Sequence, residues 1–481
     1  MKSCNVKEEF WSCFTDYGSK IFITDSKNYR LSYLEELEAI SNMIQELQNI
    51  GIESKMNVVL LFEKNSWMYV TLLLTLWKMD VTCTIASHLS QIEEHDAQWI
   101  LSDHILENRN GKLQYVKNGI YFYKISNGRS APYEFQNAWL VLATSGTTNK
   151  SKWVYLTGEA LLSTTYAIKD YLQTKERDVF YALKYLGHIS SITTDFLLSI
   201  ISGGVLVINT EAFNLPSIVG QIVKEHVSVL TLVPSLLEYM INDRYYAKLS
   251  GIKKISLVGG PTKKQLIDEV KKKLPETQIY IGYGLTEASS RLTYLPPSLV
   301  YNKPNSIGKA IKSVEINLID SLGKKINAPN TVGEIVAKSP GIMIGYRIDG
   351  RFIKHIDECL HTNDLAYFDE EGDLFHYGRK DEVLVVNGIN ISPILIEEEI
   401  MKLEYVRDCV VCKELESKIG DKLMALVVLH EDFPVTVHDM RATLRKVLPS
   451  TYIPKRIIKV REIPKTERGK VSRKKIAENF R

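Results

Sequence analysis

The chain has 481 residues, 45% of them hydrophobic, and a formal net charge of +3. That length allows two or three domains, and that apolar share is ordinary for a packed soluble protein. The charge is too small to argue for nucleic acid or a membrane surface, and six cysteines in so long a chain make no disulfide framework.

Met1 to Glu9 contains no apolar h-region, so the expected compartment is the cytoplasm, with reduced thiols. Asn57–Phe62 reads as a buried strand, and residues 67–79 as an apolar-faced helix. The longest apolar run, Met68 to Trp77, is about half of what a bilayer span needs, so no membrane span is expected. Ala138–Ala143 reads as another buried strand. It leads into Thr144-Ser145-Gly146-Thr147-Thr148-Asn149-Lys150-Ser151-Lys152. Hydroxyls that donate, a glycine that admits close backbone approach and two lysines suit a polyphosphate. An ordinary polar loop has the same composition. It is not the loop of P-loop kinases, because Ser151 stands where that pattern needs glycine.

A helical stretch around Phe196–Ile201 precedes the strand Gly204–Ile208. Val227–Val233 is closed by Pro234 and followed by helix 235–242. Ile255–Val258 ends at Gly259-Gly260. Continuous apolar strands alternating with helices imply parallel sheets covered on both faces. Gln278–Ile281 then leads into Gly282-Tyr283-Gly284-Leu285-Thr286-Glu287, which begins like a dinucleotide fingerprint but ends in glutamate. Tyr283 can stack on a flat base and Glu287 can hold a magnesium ion, or the segment is simply a turn with an aromatic.

After about residue 300 the strands shorten, as in Val314–Ile319 and Gly333–Ala337, which suggests a small antiparallel element. His361-Thr362-Asn363-Asp364 reads as a loop whose carboxylate can accept from ribose hydroxyls or cap a turn. Gly378-Arg379-Lys380-Asp381 reads as polar punctuation between two patterned regions. From about residue 380 an αβ pattern follows: helix 393–403, strands 405–412 and 423–429, helix 436–447. Cys409 and Cys412 fall in a strand, where i and i+3 face opposite ways, so the pair reads as structural. Pro464–Arg473 is a basic loop, by default a solvated charge run.

In this order and spacing the islands resemble the adenylate-forming superfamily: acyl-CoA synthetases, nonribosomal peptide synthetase adenylation domains and luciferases. The likeness covers roughly residues 20 to 476. It rests on Thr144–Thr148, Tyr283-Gly284-Leu285-Thr286-Glu287, Gly378-Arg379-x-Asp381 and Pro464-Lys465-Thr466…Gly469-Lys470-Val471…Arg473. Ser306-Ile307-Gly308, Gly333-Glu334-Ile335 and Gly345-Tyr346 also fit.

The resemblance implies an α/β fold. A large N-terminal domain, residues 1–378, carries two parallel-rich sheets flanked by helices plus a small antiparallel β element. A small mobile α+β C-terminal domain, residues 379–481, follows a hinge near Asp381. The implied reaction joins a carboxylic acid to ATP as an acyl-adenylate, releases pyrophosphate, and passes the acyl group to a thiol. That thiol belongs to coenzyme A or to the phosphopantetheine of an acyl or peptidyl carrier protein. The same resemblance gives Lys470 and Thr286 catalytic positions and Glu287 the Mg²⁺. It puts Thr144, Ser145, Gly146, Thr147, Thr148 and Lys152 on the β- and γ-phosphates. Tyr283, Gly284, Gly259 and Gly260 are implied around adenine, and Asp364 and Arg379 on the ribose.

Several positions depart from the family pattern. Asn149, Ser151 and Trp153 alter the end of the phosphate loop, and Asn363 replaces a glycine. Val385 stands where many relatives carry a lysine, and Leu395 where a glutamate is usual, with Glu397 keeping the second acid. Ser190 stands where amino-acid-activating relatives carry an aspartate, with Asp195 five residues off, which favours a plain acid over an α-amino acid. His188 lies near the slot of an acyl-pocket gate, or is an ordinary histidine. An amino-acid-activating carrier-protein ligase, a degenerate nucleotide-binding protein and a luciferase-type oxidase are the competing readings.

Overall fold

The structure is a computed structural model that describes residues 5–88, 97–106, 111–125, 132–144, 152–242, 245–386, 389–414, 422–430, 433–464 and 471–480. The chain forms two compact units. One comprises Met1–Ile316 with Ala337–Leu360, the other Asn317–Val336 with His361–Arg481.

The larger unit is built on two sheets. In one, Thr82–Ile85, Asn57–Leu61, Trp99–Ser102 and Ala138–Thr144 run parallel at the centre, with antiparallel strands added at both sides. In the other, Ile21–Asp25, Val205–Ile208, Val179–Ala182, Val229–Leu232, Lys254–Leu257 and Gln278–Tyr283 are parallel neighbours. Thr293–Leu295 and Ser306–Ala310 extend that edge antiparallel. The apolar runs read as doubly covered strands are buried end to end: all five residues of Asn57–Leu61 and all four of Val229–Leu232. Helix Trp67–Lys78 buries every residue from Met68 to Trp77, so its apolar run is core.

Leu360–Phe368 and Leu374–Arg379 form a hairpin that from His361 onward belongs to the smaller unit. His361–Asp364 was expected on a loop but lies inside the first of these strands, and Gly378-Arg379 ends the second rather than linking two regions. The physical reason is the burial pattern. Leu360, Thr362 and Asp364 alternate with exposed His361 and Asn363, and two of the three inward positions are polar. Beyond the hairpin, Val406–Glu414 pairs antiparallel with Lys422–Leu429, which pairs parallel with Arg456–Lys459. Helices Pro393–Met401, Val437–Leu444 and Arg473–Asn479 belong to the same unit. Val411, Leu423 and Ala425 pack into one apolar cluster, against which Cys409 rests. Val410, Cys412 and Met424 pack into another. The two cysteines therefore face opposite ways, as strand periodicity requires.

One helix departs from the expectation. Ile192–Leu197 is a π-helix, continued by the α-helix Leu198–Ser202 and stopped by Gly203 at φ 67. Single π-helical turns recur at functional sites. No helix among the described residues is long and apolar enough to cross a membrane.

Candidate active site

Thr144 and Lys152 face each other as the last register pair of two antiparallel strands, and the Thr144 hydroxyl donates to the Lys152 carbonyl at 3.3 Å. These strands carry the two ends of the segment expected to be the phosphate loop. Ser145, Gly146, Thr147 and Thr148, with Asn149 and Ser151, lie outside the described residues. Trp153 is no part of the loop. It is 1% exposed, in register between Ala143 and Arg347, and packed in the sheet core. The family's loop glycine is here exchanged for an anchor in the exit strand.

The Gly282–Glu287 turn packs through its end on the second of these strands, Lys152–Thr157. Gln278–Tyr283 ends in Tyr283, and Thr286–Ala288 forms a short 3₁₀ turn. The Met343 N–H donates to the Glu287 carbonyl at 2.9 Å, fixing the turn. Gly284 has no room for a side chain, since a Cβ there would lie 2.2 Å from the Ser290 carbonyl oxygen. Tyr346 joins the two motifs. It lies opposite Val154 on the strand that begins at Lys152. Its hydroxyl donates to Glu287 Oε1 at 3.4 Å, and the Lys152 ammonium sits 5.8 Å from its ring centroid. Burial, and then the Glu287 charge, push the Tyr346 phenol upward, so it stays protonated and a donor. Tyr346 fitted the family pattern but had no role assigned, because it stands 59 residues from Glu287 in sequence.

Gly259 and Gly260 follow Lys254–Leu257, whose Leu257 is in register with Ile281. These glycines and Tyr283-Gly284 thus lie at the carboxyl ends of neighbouring parallel strands, where open α/β sheets bind ligands. Gly259 is at φ 80 and both glycines are exposed. His188 is exposed and N-caps a short helix without a side-chain cap bond. The Ser190 hydroxyl accepts from the Lys184 ammonium at 3.1 Å.

In the smaller unit, Asp364 and Arg379 are register partners, with Arg379 Nη1 3.5 Å from Asp364 Oδ1. Arg379 Nε donates to Asp381 at 2.9 Å, tying the proposed hinge residue to the hairpin end. Asn363 adopts φ 59, the left-handed backbone for which the family's glycine is suited and asparagine is the next choice. Lys470 lies outside the described residues. Arg473, three positions on, begins a helix and grips both Glu397 oxygens at 3.0 and 2.9 Å and Glu382 at 2.7 Å. Glu397, noted in the sequence only as a retained acid, is thus the counter-ion that holds the chain just after Lys470.

Residues 117–347 match the AMP-binding enzyme family, and residues 395–470 match the AMP-binding enzyme C-terminal domain. A 2-succinylbenzoate–CoA ligase of Listeria innocua is 30% identical over 341 residues, covering 70% of this chain and 69% of that protein. The chain belongs to the AMP-binding enzyme family.

A second 2-succinylbenzoate–CoA ligase, from Listeria monocytogenes, is 27% identical over 463 residues, 93% of this chain and 94% of the relative. A long-chain-fatty-acid–CoA ligase of Salmonella typhimurium is 29% identical over 345 residues, 70% of this chain and 61% of the relative. Among solved structures, an ATP-bound MatB chimera superimposes with TM-score 0.82 at 19% identity, covering 99% of both chains. The o-succinylbenzoate CoA synthetase of Bacillus subtilis with its acyl-adenylate follows at TM-score 0.78 and 21% identity, covering 97% of both chains. These likenesses place the AMP-binding enzyme's fold among adenylating enzymes. It is an AMP-forming ligase that activates a carboxylic acid with ATP and makes a thioester.

Proposed function

We propose that this AMP-binding enzyme joins a small carboxylic acid to coenzyme A through an acyl-adenylate, using the residues assembled above. The observation that carries the reading is the Lys152–Tyr346–Glu287 connection, which brings the end of the phosphate loop to the carboxylate turn. The acid and the α-phosphate are both anions. At ~4 Å and an effective dielectric near 20 one pair of unit charges repels by about 4 kcal/mol, so cations must stand between them. Lys470 takes that position, and the Thr144–Lys152 loop grips the departing pyrophosphate. Tyr283 packs on adenine beside Gly259, Gly260 and Gly284, while Asp364 and Arg379 hold the ribose hydroxyls. Glu287 and Thr286 offer hard oxygen donors on an open turn, a set that suits Mg²⁺. When bound there, the ion supplies charge neutralisation on the phosphates. Catalysis rests on positioning and charge, without a covalent enzyme intermediate.

The functional division falls at 378/379 with Asp381 as hinge, and His188 and Ser190 stand at the acid's entrance. Coenzyme A is favoured over a carrier protein as acceptor because the relatives named above are CoA ligases. ATP–pyrophosphate exchange across a panel of acids tests the first half-reaction, and AMP release with coenzyme A against a phosphopantetheinylated carrier tests the second. Lys470→Ala should abolish exchange while ATP still binds. Unchanged exchange in that variant removes Lys470 from its role.

A further inference from the structure

Ser289-Ser290-Arg291 follows the 3₁₀ turn Thr286–Ala288 and is buried throughout. Ser289 and Ser290 adopt φ 50 and φ 87, two successive left-handed residues that are not glycine. Such backbone is costly for serine and persists only where the surroundings hold it. Here the surroundings are the nucleotide turn, Gly282–Glu287. The Ser289 and Ser290 N–H groups donate to the Thr286 and Leu285 carbonyls at 3.1 and 3.0 Å. The Ser290 carbonyl takes the space that a side chain at Gly284 would need. Arg291 does the same at Gly282, where a Cβ would lie 1.3 Å from its Nη1.

The two serine hydroxyls tie this backbone to two neighbours. The Ser289 hydroxyl donates to the Gly341 carbonyl at 2.7 Å, on the segment that carries Met343 and Tyr346, both bonded to Glu287. The Ser290 hydroxyl lies 2.6 Å from Thr193 Oγ1, on the π-helical turn Ile192–Leu197. Thr193 gives its one proton to the Ile189 carbonyl at 3.0 Å, so Ser290 donates and Thr193 accepts. Thr193 is 0% exposed and Ser290 7%. Losing either hydroxyl therefore strands a buried polar group that water does not reach.

We propose that Thr193 and Ser290 are positioning residues for adenylation, acting through the backbone of the nucleotide turn and not on the reacting atoms. Their bond holds the strained Ser289-Ser290 backbone in place. That backbone in turn fixes the Leu285 and Thr286 carbonyls, and so the direction in which Thr286 and Glu287 present their oxygens. The π-helical turn then has a use, as such turns at functional sites do: it brings Thr193 to a serine 97 residues away. The inference rests on the adenylation reading above.

The test compares Thr193→Val, which keeps the shape and removes the acceptor, with Thr193→Ser, which keeps the hydroxyl. In the ligand-free protein, hydrogen exchange at the Ser289 and Ser290 amides should be about 10-fold faster in Thr193→Val, the worth of one buried hydrogen bond. In ATP–pyrophosphate exchange with the best acid, its kcat should fall by about 10- to 100-fold, the scale of a small misplacement. The Mg²⁺ needed for half-maximal rate should rise by about 5-fold, below the effect of a carboxylate's direct partner. Thr193→Ser should recover most of each loss. Thr193→Val/Ser290→Ala should be no worse than the poorer single variant, since both remove the same bond. Faster amide exchange with an unchanged kcat and Mg²⁺ requirement makes the pair merely structural and overturns the inference. So does a Thr193→Ser enzyme as impaired as Thr193→Val, or additive losses in the double variant. Each of these leaves adenylation standing. Absence of pyrophosphate exchange with every acid in the wild type overturns adenylation and this inference together.

Discussion

Arg473→Met should destabilise the smaller unit by about 3–5 kcal/mol, the cost of stripping one partner from a buried ion pair. Arg473 and Glu397 side chains are only 17% and 16% exposed, and two bonds of 3.0 and 2.9 Å join them. The arginine also donates to Glu382 at 2.7 Å and to the Val411 carbonyl at 3.1 Å. After its removal the Glu397 carboxylate keeps the Val411 N–H at 2.7 Å and no paired charge from Arg473. Burial already raises the Glu397 carboxyl, and Arg473 is the strongest influence drawing it back. Without Arg473 it rises further, so the variant is nearest to wild type at low pH, where Glu397 is neutral. The deficit grows as pH climbs through the elevated value. The double variant Arg473→Met/Glu397→Leu should recover about 2–3 kcal/mol relative to the sum of the singles, since a matched apolar pair can replace a buried ion pair. All six tryptophans precede residue 154, in the larger unit, so their fluorescence is a poor reporter. Hydrogen exchange at Val410–Cys412 is the better one. ATP–pyrophosphate exchange should fall with the singles, because Lys470 lies three residues before the lost anchor. Additive single costs, or a single variant as stable as wild type at every pH, would refute the reasoning.

Glu36 is 0% exposed, accepts from the Thr71 hydroxyl at 3.2 Å, and is pushed by burial up to about 8. Its folded value is raised, so its favourable contribution is complete below about pH 4.5 and is lost as pH rises toward 8. Glu36→Gln should gain on wild type by roughly 3 kcal/mol between pH 4.5 and 7, read by urea unfolding at each pH. A gap that does not widen with pH contradicts this. Glu287→Gln should lower the exchange rate by about 10²-fold and raise the Mg²⁺ needed for half-maximal rate. Tyr346→Phe should shift that Mg²⁺ requirement by about 10-fold, as loss of a carboxylate's outer partner does, with little change in thermal stability. Gly308→Ala should cost several kcal/mol by thermal unfolding: the residue sits at φ 75, and a Cβ would lie 1.9 Å from the Tyr294 carbonyl oxygen.

Where burial is complete, one-dimensional pattern was enough. Val58–Leu61 and Leu206–Ile208 are unbroken apolar runs, and Val229–Leu232 is interrupted only by Thr231, as expected of strands covered on both faces. The alternation of Cys409 and Cys412 was equally readable, since side-chain direction in a strand is a local property.

The strand around Asp364 was misread as a loop because its inward residues include Thr362 and Asp364, whose polarity is satisfied only by the partner strands. Thr362 donates to the Ile335 carbonyl at 2.8 Å and Asp364 faces Arg379. Ser289-Ser290-Arg291 looks like an exposed polar stretch, yet Arg291 is among the largest fully buried side chains. Local sequence thus determined the strands, the turns and the order of the motifs, because backbone conformation and periodic burial depend on near neighbours. Only the tertiary structure decided that Tyr346 joins Lys152 to Glu287, that Glu397 holds Arg473, and that Arg291 lies behind the nucleotide turn. The first two are contacts between residues distant along the chain, and the burial of Arg291 depends on what the fold packs around it.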